Sequence, residues 1–349
     1  MYKAHFKKYL LKFKKPSGTS RGIISNKPSW FIKVQSIKNP MVFGIGECGP
    51  IGGLSIDNLS KIEEKLVEVV NNINQLHKVD LLNFPSVNFG VEMAFKNLEN
   101  HKEAEYFKNS FSKGLDSIKI NGLIWMGNKT EMTTQVKEKI KNGFTCLKLK
   151  IGAISFEDEI EIIRLIRKDF KSDVLELRVD ANGAFSTKSA LNKLEKLCKY
   201  DIHSIEQPIA SGKTTEMKKL CECSPIDIAL DEELIGVNEI EEKEKLLKNL
   251  KPKYIILKPS LIGGFKKTSE WISIAEKNNI RWWITSALES NIGLNAIAQY
   301  TAEFKNTLPQ GLGTGQIYSN NIPSYLELCG EELKINKKKN WNFNKINFD

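Results

Sequence analysis

From residue 118 onward the chain alternates between short apolar, strand-like runs and helical patterns, and this rhythm restricts the fold more than any other feature. Strand-like runs fall at 118–125, 146–151, 175–180, 204–207, 227–231, 254–258 and 281–285, and a glycine-rich final run covers 311–316. One helical pattern lies between each pair, giving eight strands and seven helices. A β-α-β series builds a parallel sheet whose faces are covered by the helices. At this count, strict alternation points to an α/β barrel closed on itself rather than to an open sheet. The barrel is expected over residues 115–320.

Residues 1–114 read as a separate α+β domain. Runs at 2–14, 30–37 and 41–47 alternate as a β-meander, and helical spacing follows at 57–75, 86–100 and 103–113, with Asp57 as the N-cap of the first helix. The polar, glycine-rich segment 16–22 suits either a mobile lid or a plain hairpin connection. Residues 321–349 are again β-like and lysine-rich, a tail expected to return to the N-terminal domain.

With 349 residues and 41% hydrophobic side chains, the chain can bury a large core. The net charge of +10 raises nucleic-acid binding as a possibility. The lysines are interleaved with glutamates on predicted helices, however, and no basic run with aromatics occurs, so no nucleic-acid partner is expected. No stretch approaches the roughly 18 apolar residues of a membrane span, and lysines interrupt the N-terminal apolar residues where a signal peptide needs continuity. Cys48, Cys146, Cys198, Cys221, Cys223 and Cys329 lack metal-site spacing and read as reduced thiols of a cytoplasmic protein. His5, His77, His101 and His203 are isolated.

The second barrel strand contains Lys148-Leu-Lys150, with both lysines on one face. In a strand covered on both sides they are costly to desolvate unless they face a polar site. Catalytic groups of such barrels sit at strand ends, and those ends supply Asp180, Glu206, Asp231, Lys258 and the stretch 286–290. Each acid alone also reads as a helix cap or loop residue. Together, one carboxylate on each of three successive strands would repel strongly without a cation among them. Oxygen ligands without Cys or His favour magnesium over zinc. Arg178 and Asn182 share the face of Asp180 and are placed to reach a substrate, Arg178 equally as an internal counter-ion.

This pattern resembles the enolase superfamily, in its muconate-lactonizing-enzyme-like branch with Lys-x-Lys on the second strand and a lysine on the sixth. The matching residues are Lys148-Leu-Lys150, Asp180-Ala-Asn182, Ile205-Glu206-Gln-Pro208, Asp231-Glu232 and Lys258-Pro-Ser-Leu-Ile-Gly-Gly264. Within the branch, Ser286-Ala-Leu-Glu-Ser-Asn-Ile-Gly293 and Gly311-Leu-Gly-Thr-Gly315 are similar to the o-succinylbenzoate synthase family, and Thr19-Ser-Arg-Gly22 resembles that family's lid.

The resemblance implies a capping domain on a modified TIM barrel, (β/α)7β. It implies Mg2+, with Mn2+ as a substitute, held by Asp180, Glu206 and Asp231. Lys150 would be the base, Lys148 would tune the site and bind a carboxylate, and Lys258 would face the planar intermediate. As a base, Lys150 would act as a neutral amine, its pKa lowered by the neighbouring cations. The implied reaction is dehydration of a cyclohexadiene carboxylate in menaquinone synthesis, on a small-molecule carboxylate substrate. Candidate substrate contacts are Arg21 in the lid, Arg178, Asn182, Ser286, Glu289 and Ser290. A dipeptide epimerase, N-acylamino acid racemase or cycloisomerase would share metal, base and barrel. Dipeptide racemising relatives carry Asp-x-Asp on the seventh or eighth strand, which is absent at 286–290 and 311–316. The reading from another class is an inactive barrel serving as a scaffold, against which the intact set of lysines and acids argues.

Overall fold

The structure, a computed structural model, describes residues 1–19 and 22–348. Strands β1 (Tyr2–Thr19), β2 (Gly22–Ser36) and β3 (Phe43–Cys48) form an antiparallel sheet in that order. Pairing continues to Thr19 opposite Gly22, past a register shift between Lys12 and Ser17, so the hairpin strands extend into the polar segment 16–22, of which residues 20 and 21 lie outside the described residues. Helices Ile62–Asn71 and Pro85–Asn100 bury the apolar face of this sheet. A Cβ on Gly46 would collide with the carbonyl of Gly90, so only glycine lets the second helix lie directly on β3.

Two N-terminal expectations are corrected. Asp57 does not cap the first helix; it is buried and accepts from the Ser86 amide and hydroxyl, at 3.1 and 2.6 Å, in the first turn of the second. Residues 103–113 form turns rather than a helix. Long-range side chains take their backbone groups: Gln299 Oε1 accepts from the amides of Tyr106 and Phe107, and Gln299 and Asn295 donate to the Ala104 carbonyl. Those bonds replace the helical ladder.

The remaining strands are β4 (Ser117–Lys119), β5 (Gly122–Ile124), β6 (Cys146–Lys150), β7 (Glu176–Asp180), β8 (Ser204–Glu206), β9 (Ile228–Leu230), β10 (Tyr254–Leu257), β11 (Arg281–Ile284), β12 (Leu326–Cys329) and β13 (Glu332–Ile335). Strands β5 to β11 form one parallel sheet in sequence order. The run at 118–125 is divided between two sheets, because β4 pairs antiparallel with β13 while β5 enters the barrel.

Among the described residues the ring is closed by only two. Gln310 bridges to Ile120 and Gly311 bridges to Thr285, with bonds from the Gln310 amide to the Lys119 carbonyl and from the Gly311 amide to the Ile284 carbonyl. The expected eighth strand at 311–316 therefore ends almost where it begins, and Thr314–Gln316 is a 3-10 turn. The outward positions of the strands, such as Leu147, Leu149, Leu177, Val179 and Ile205, are fully buried against the helices. That leaves the alternate positions to point into the barrel. Among the described residues no helix is long and apolar enough to cross a membrane, and all six cysteines are free thiols.

Candidate active site

Strand register brings the expected charges together. Lys148 and Lys150 on β6 lie beside Arg178 and Asp180 on β7, and Asp180 lies beside Glu206 on β8. Asp231 and Lys258 directly follow the last residues of β9 and β10. Lys148 Nζ is 2.6 Å from Glu206 Oε2 and 2.9 Å from Asp180 Oδ2. Lys150 Nζ is 2.5 Å from Asp180 Oδ2 and 2.7 Å from Asn182 Oδ1. Lys258 Nζ donates to Asp231 Oδ2 and stands 3.6 Å from Glu206 Oε1. Lysines and carboxylates thus alternate across the C-terminal mouth of the barrel.

Burial disfavours each of these charges, and their mutual attraction decides which persist. For Lys148, burial lowers the pKa, but Asp180 and Glu206 more than reverse it and hold the ammonium above its ordinary range. Burial opposes the Lys258 ammonium too, and Asp231 and Glu206 override it, leaving this lysine strongly cationic. Asp180 is raised by burial but driven far below the usual carboxylate range by Lys148 and Lys150. Glu206 is pushed up to about 7, first by burial and then by the negative charge of Asp180. Burial also raises Asp231, against the pull of Lys258.

The acids suit a hard divalent ion. Glu206 Oε1, at the centre of the group, is buried without a hydrogen-bond partner among the described residues, and the surrounding donors are all carboxylate oxygens. Among the described residues no three such side chains meet at a common point, and the ammonium groups of Lys148 and Lys258 lie between the acids. Gln207, in the left-handed region at φ 40°, receives the Asp231 amide on its side-chain oxygen and so locks the ends of β8 and β9 together.

One pocket opens onto these lysines, lined by Lys148, Lys150, Asn182, Lys258 and Ser286 and walled by apolar groups including Ile24, Ile51, Leu54, Leu123, Trp125 and Leu288. Of the expected substrate contacts, Asn182 and Ser286 therefore line it, while Arg21 lies outside the described residues. Arg178 does not reach the pocket. Its guanidinium holds Glu176 at 2.6 Å and the Pro309 carbonyl at 2.9 Å and stacks on Trp283, as an internal counter-ion toward the other end of the barrel. Glu289 and Ser290 also turn away. Glu289 accepts from the Ser260 hydroxyl and the Ala287 amide. Ser290 caps the helix Asn291–Thr301 and donates to Glu47 Oε2 at 2.6 Å. Leu123 and Trp125 were missed as pocket walls, although period-two spacing within the first barrel run places them on one face.

Glu47 joins the two halves of the molecule. This fully buried carboxylate of β3 accepts from the Ser29 hydroxyl and from the amides of Ser290 and Gly293, at the start of a barrel helix. Glu47→Ala would strand these donors. A destabilisation of about 3 kcal/mol or more is expected, read as a lowered denaturant midpoint, with Glu47→Gln less damaging.

Comparison with known proteins places the chain. A family model described as enolase C-terminal domain-like matches residues 131–335. The o-succinylbenzoate synthase of Desulfotalea psychrophila is 42% identical, over 93% of this chain and 96% of its own length. The crystal structure of MenC from the same organism superposes with a TM-score of 0.85 at 38% identity, covering 96% of this chain and 99% of that one. A dipeptide epimerase from Enterococcus faecalis, solved with Mg and L-Leu-L-Tyr, shares the fold at a TM-score of 0.82 and 21% identity, over 95% of this chain and 96% of its own.

Proposed function

The chain belongs to the enolase superfamily, and on that premise we infer that it is an o-succinylbenzoate synthase. It removes water from 2-succinyl-6-hydroxy-2,4-cyclohexadiene-1-carboxylate to leave aromatic 2-succinylbenzoate for menaquinone synthesis. The observation that carries this reading is that Lys150 and Lys258, on β6 and after β10, face one apolar pocket from different sides of the barrel mouth, with Asp180, Glu206 and Asp231 between them.

The proton next to the substrate carboxylate is a poor acid, since its loss leaves a dianionic enediolate. Asp180, Glu206 and Asp231 would hold Mg2+, or Mn2+ in its place, which when bound supplies positive charge against that carboxylate. Lys148 and Lys258 remain ammonium groups through their acid neighbours and add fixed positive charge in a dry site. Lys150 is the amine least committed to acids: it touches one carboxylate and is 16% exposed, against 5% for Lys148 and 9% for Lys258. Lys150 therefore takes the ring proton, with Asn182 Oδ1 orienting its Nζ. The hydroxyl leaves from the same face as the ring becomes aromatic, and the protonated Lys150 is placed to give its proton to it. The apolar walls keep water from the enediolate.

With Mg2+ the protein should clear the cyclohexadiene absorbance and release 2-succinylbenzoate in equal amount. Racemisation of N-acylamino acids or dipeptides with no loss of the diene would replace this reading by an epimerase one.

A further inference from the structure

Lys258 stands at the head of a short buried helix that has little of its own to hold it. The Leu261 and Ile262 amides donate to the Lys258 carbonyl at 2.8 and 3.2 Å, and Pro259–Ile262 make up the whole helix. So short a helix gains too few backbone bonds to persist by itself. The chain then turns into the helix Gly264–Lys277 through Gly263 and Gly264, both at φ 96°. Two glycines at a corner allow many other conformations, so the corner is fixed from outside.

The fixing groups come from the capping domain. Asn88 and Glu92 lie one turn apart on the helix Pro85–Asn100. Asn88 Nδ2 donates to the Gly263 carbonyl at 2.7 Å, and Glu92 Oε2 accepts from the Phe265 amide. A helix usually draws its cap from the residue just ahead, through Ser, Thr, Asp or Asn. Gly263 has no side chain to offer, and a carboxylate 173 residues from Phe265 takes that place. Gly264 leaves room for it, since a Cβ there would fall on Glu92 Oε2. Burial pushes the Glu92 carboxyl up to about 7, against the Phe265 and Lys266 amides, and in either form it keeps an oxygen to accept from them. The Phe89 ring meets Phe265 edge-on, with centroids 5.2 Å apart.

The same helix also anchors a wall of the pocket. Its first turn holds Asp57 through Ser86, and Asp57 closely follows Ile51 and Leu54, which line the pocket. One rigid element therefore spans from that apolar wall to the corner behind Lys258. On the barrel side, Ser260 donates to Glu289 and completes the clamp.

We propose that Asn88 and Glu92 are positioning residues for Lys258, pinning the corner so that its ammonium stands over the pocket when the capping domain is seated. Neither is among the described residues that line the pocket; they act through the backbone of 258–265. The proposal rests on the synthase reading above, in which Lys258 sets its charge against the enediolate. That charge develops only as the proton leaves, so a misplaced Lys258 is felt in kcat rather than in KM.

Steady-state rates with Mg2+ and the cyclohexadiene substrate test it. Glu92→Ala, alone and with Asn88→Ala, should lower kcat by roughly 10- to 10²-fold, the scale on which a misplacement of about 1 Å costs a reaction, with KM little changed. Glu92→Gln keeps an oxygen for the Phe265 amide and should restore most of kcat. Asn88→Ala alone leaves the cap in place and should lower kcat several-fold, which keeps the test decisive should the alanine at 92 not fold. Variants with a lowered denaturant midpoint but wild-type kcat per folded molecule overturn the proposal. The route through Lys258 is read in a Lys258→Ala background with enzyme in excess. There Glu92→Ala should slow the residual reaction by less than about twofold, whereas an equal fractional loss in both backgrounds would show an effect that bypasses Lys258. A wild type that racemises N-acylamino acids without clearing the diene overturns the synthase reading alone, and the same variants are then scored on that reaction. A wild type active on neither overturns both.

Discussion

Lys150→Ala should lower kcat by roughly 10²- to 10⁴-fold or more, the range over which a positioned proton-transfer group accelerates a reaction, while product affinity changes little. The expectation comes from how the three lysines divide the carboxylates. Lys148 is shared by Asp180 and Glu206, and Lys258 by Asp231 and Glu206. Both are held as ammonium groups, and a permanently charged lysine cannot accept a proton. Lys150 meets one carboxylate and one carboxamide oxygen and opens onto the pocket. Removing it leaves Asp180 still paired with Lys148, so the acid cluster should survive the substitution. Lys150→Arg should fare little better than alanine, since guanidinium keeps its proton. Steady-state rates with the cyclohexadiene substrate decide the matter. A Lys150→Ala variant that keeps a tenth of wild-type kcat would show that another group takes the proton.

The residues of this site were legible because each breaks a local rule. Asp231 and Lys258 are single charges finishing apolar runs, Asp180 ends a strand just ahead of Ala-Asn-Gly, and Lys148 is a charge inside an apolar run, where desolvation is costly. One such charge per βα unit is a spacing that composition does not produce by itself. What was not legible depends on partners remote in sequence. Glu289 and Ser290 look like pocket residues because they follow a barrel strand. Ser290 is instead bound by Glu47, 243 residues away. The run at 118–125 reads as one strand, and only β13, more than 200 residues later, draws its first half into another sheet. Residues 103–113 have helical spacing, but the amides of Tyr106 and Phe107 and the carbonyl of Ala104 are taken by Gln299 and Asn295.

Exhaustive chelation should abolish turnover, and Glu206→Gln should weaken Mg2+ binding by at least roughly 10²-fold, more than the 10- to 100-fold that loss of an outer hydrogen-bond partner costs a metal site. Glu206 is the central acid. Its Oε2 is taken by Lys148, while its buried Oε1 has no hydrogen bond among the described residues. Its pKa near 7 records the strain of burial first and of the negative charge beside it on Asp180 second. A divalent ion relieves that strain directly. Metal binding can be read without turnover, as stabilisation of the folded chain. At a Mg2+ concentration of about 100 Kd the wild type should gain about 2.7 kcal/mol, and a variant binding roughly 10²-fold more weakly should gain only about 0.4 kcal/mol there. Full turnover after exhaustive chelation would falsify the metal assignment, as would a bound ion whose ligands exclude two of the three acids. An Asp231→Asn variant stabilised by Mg2+ as fully as the wild type would remove Asp231 from the set and leave Asp180 and Glu206 to hold the ion with the substrate carboxylate.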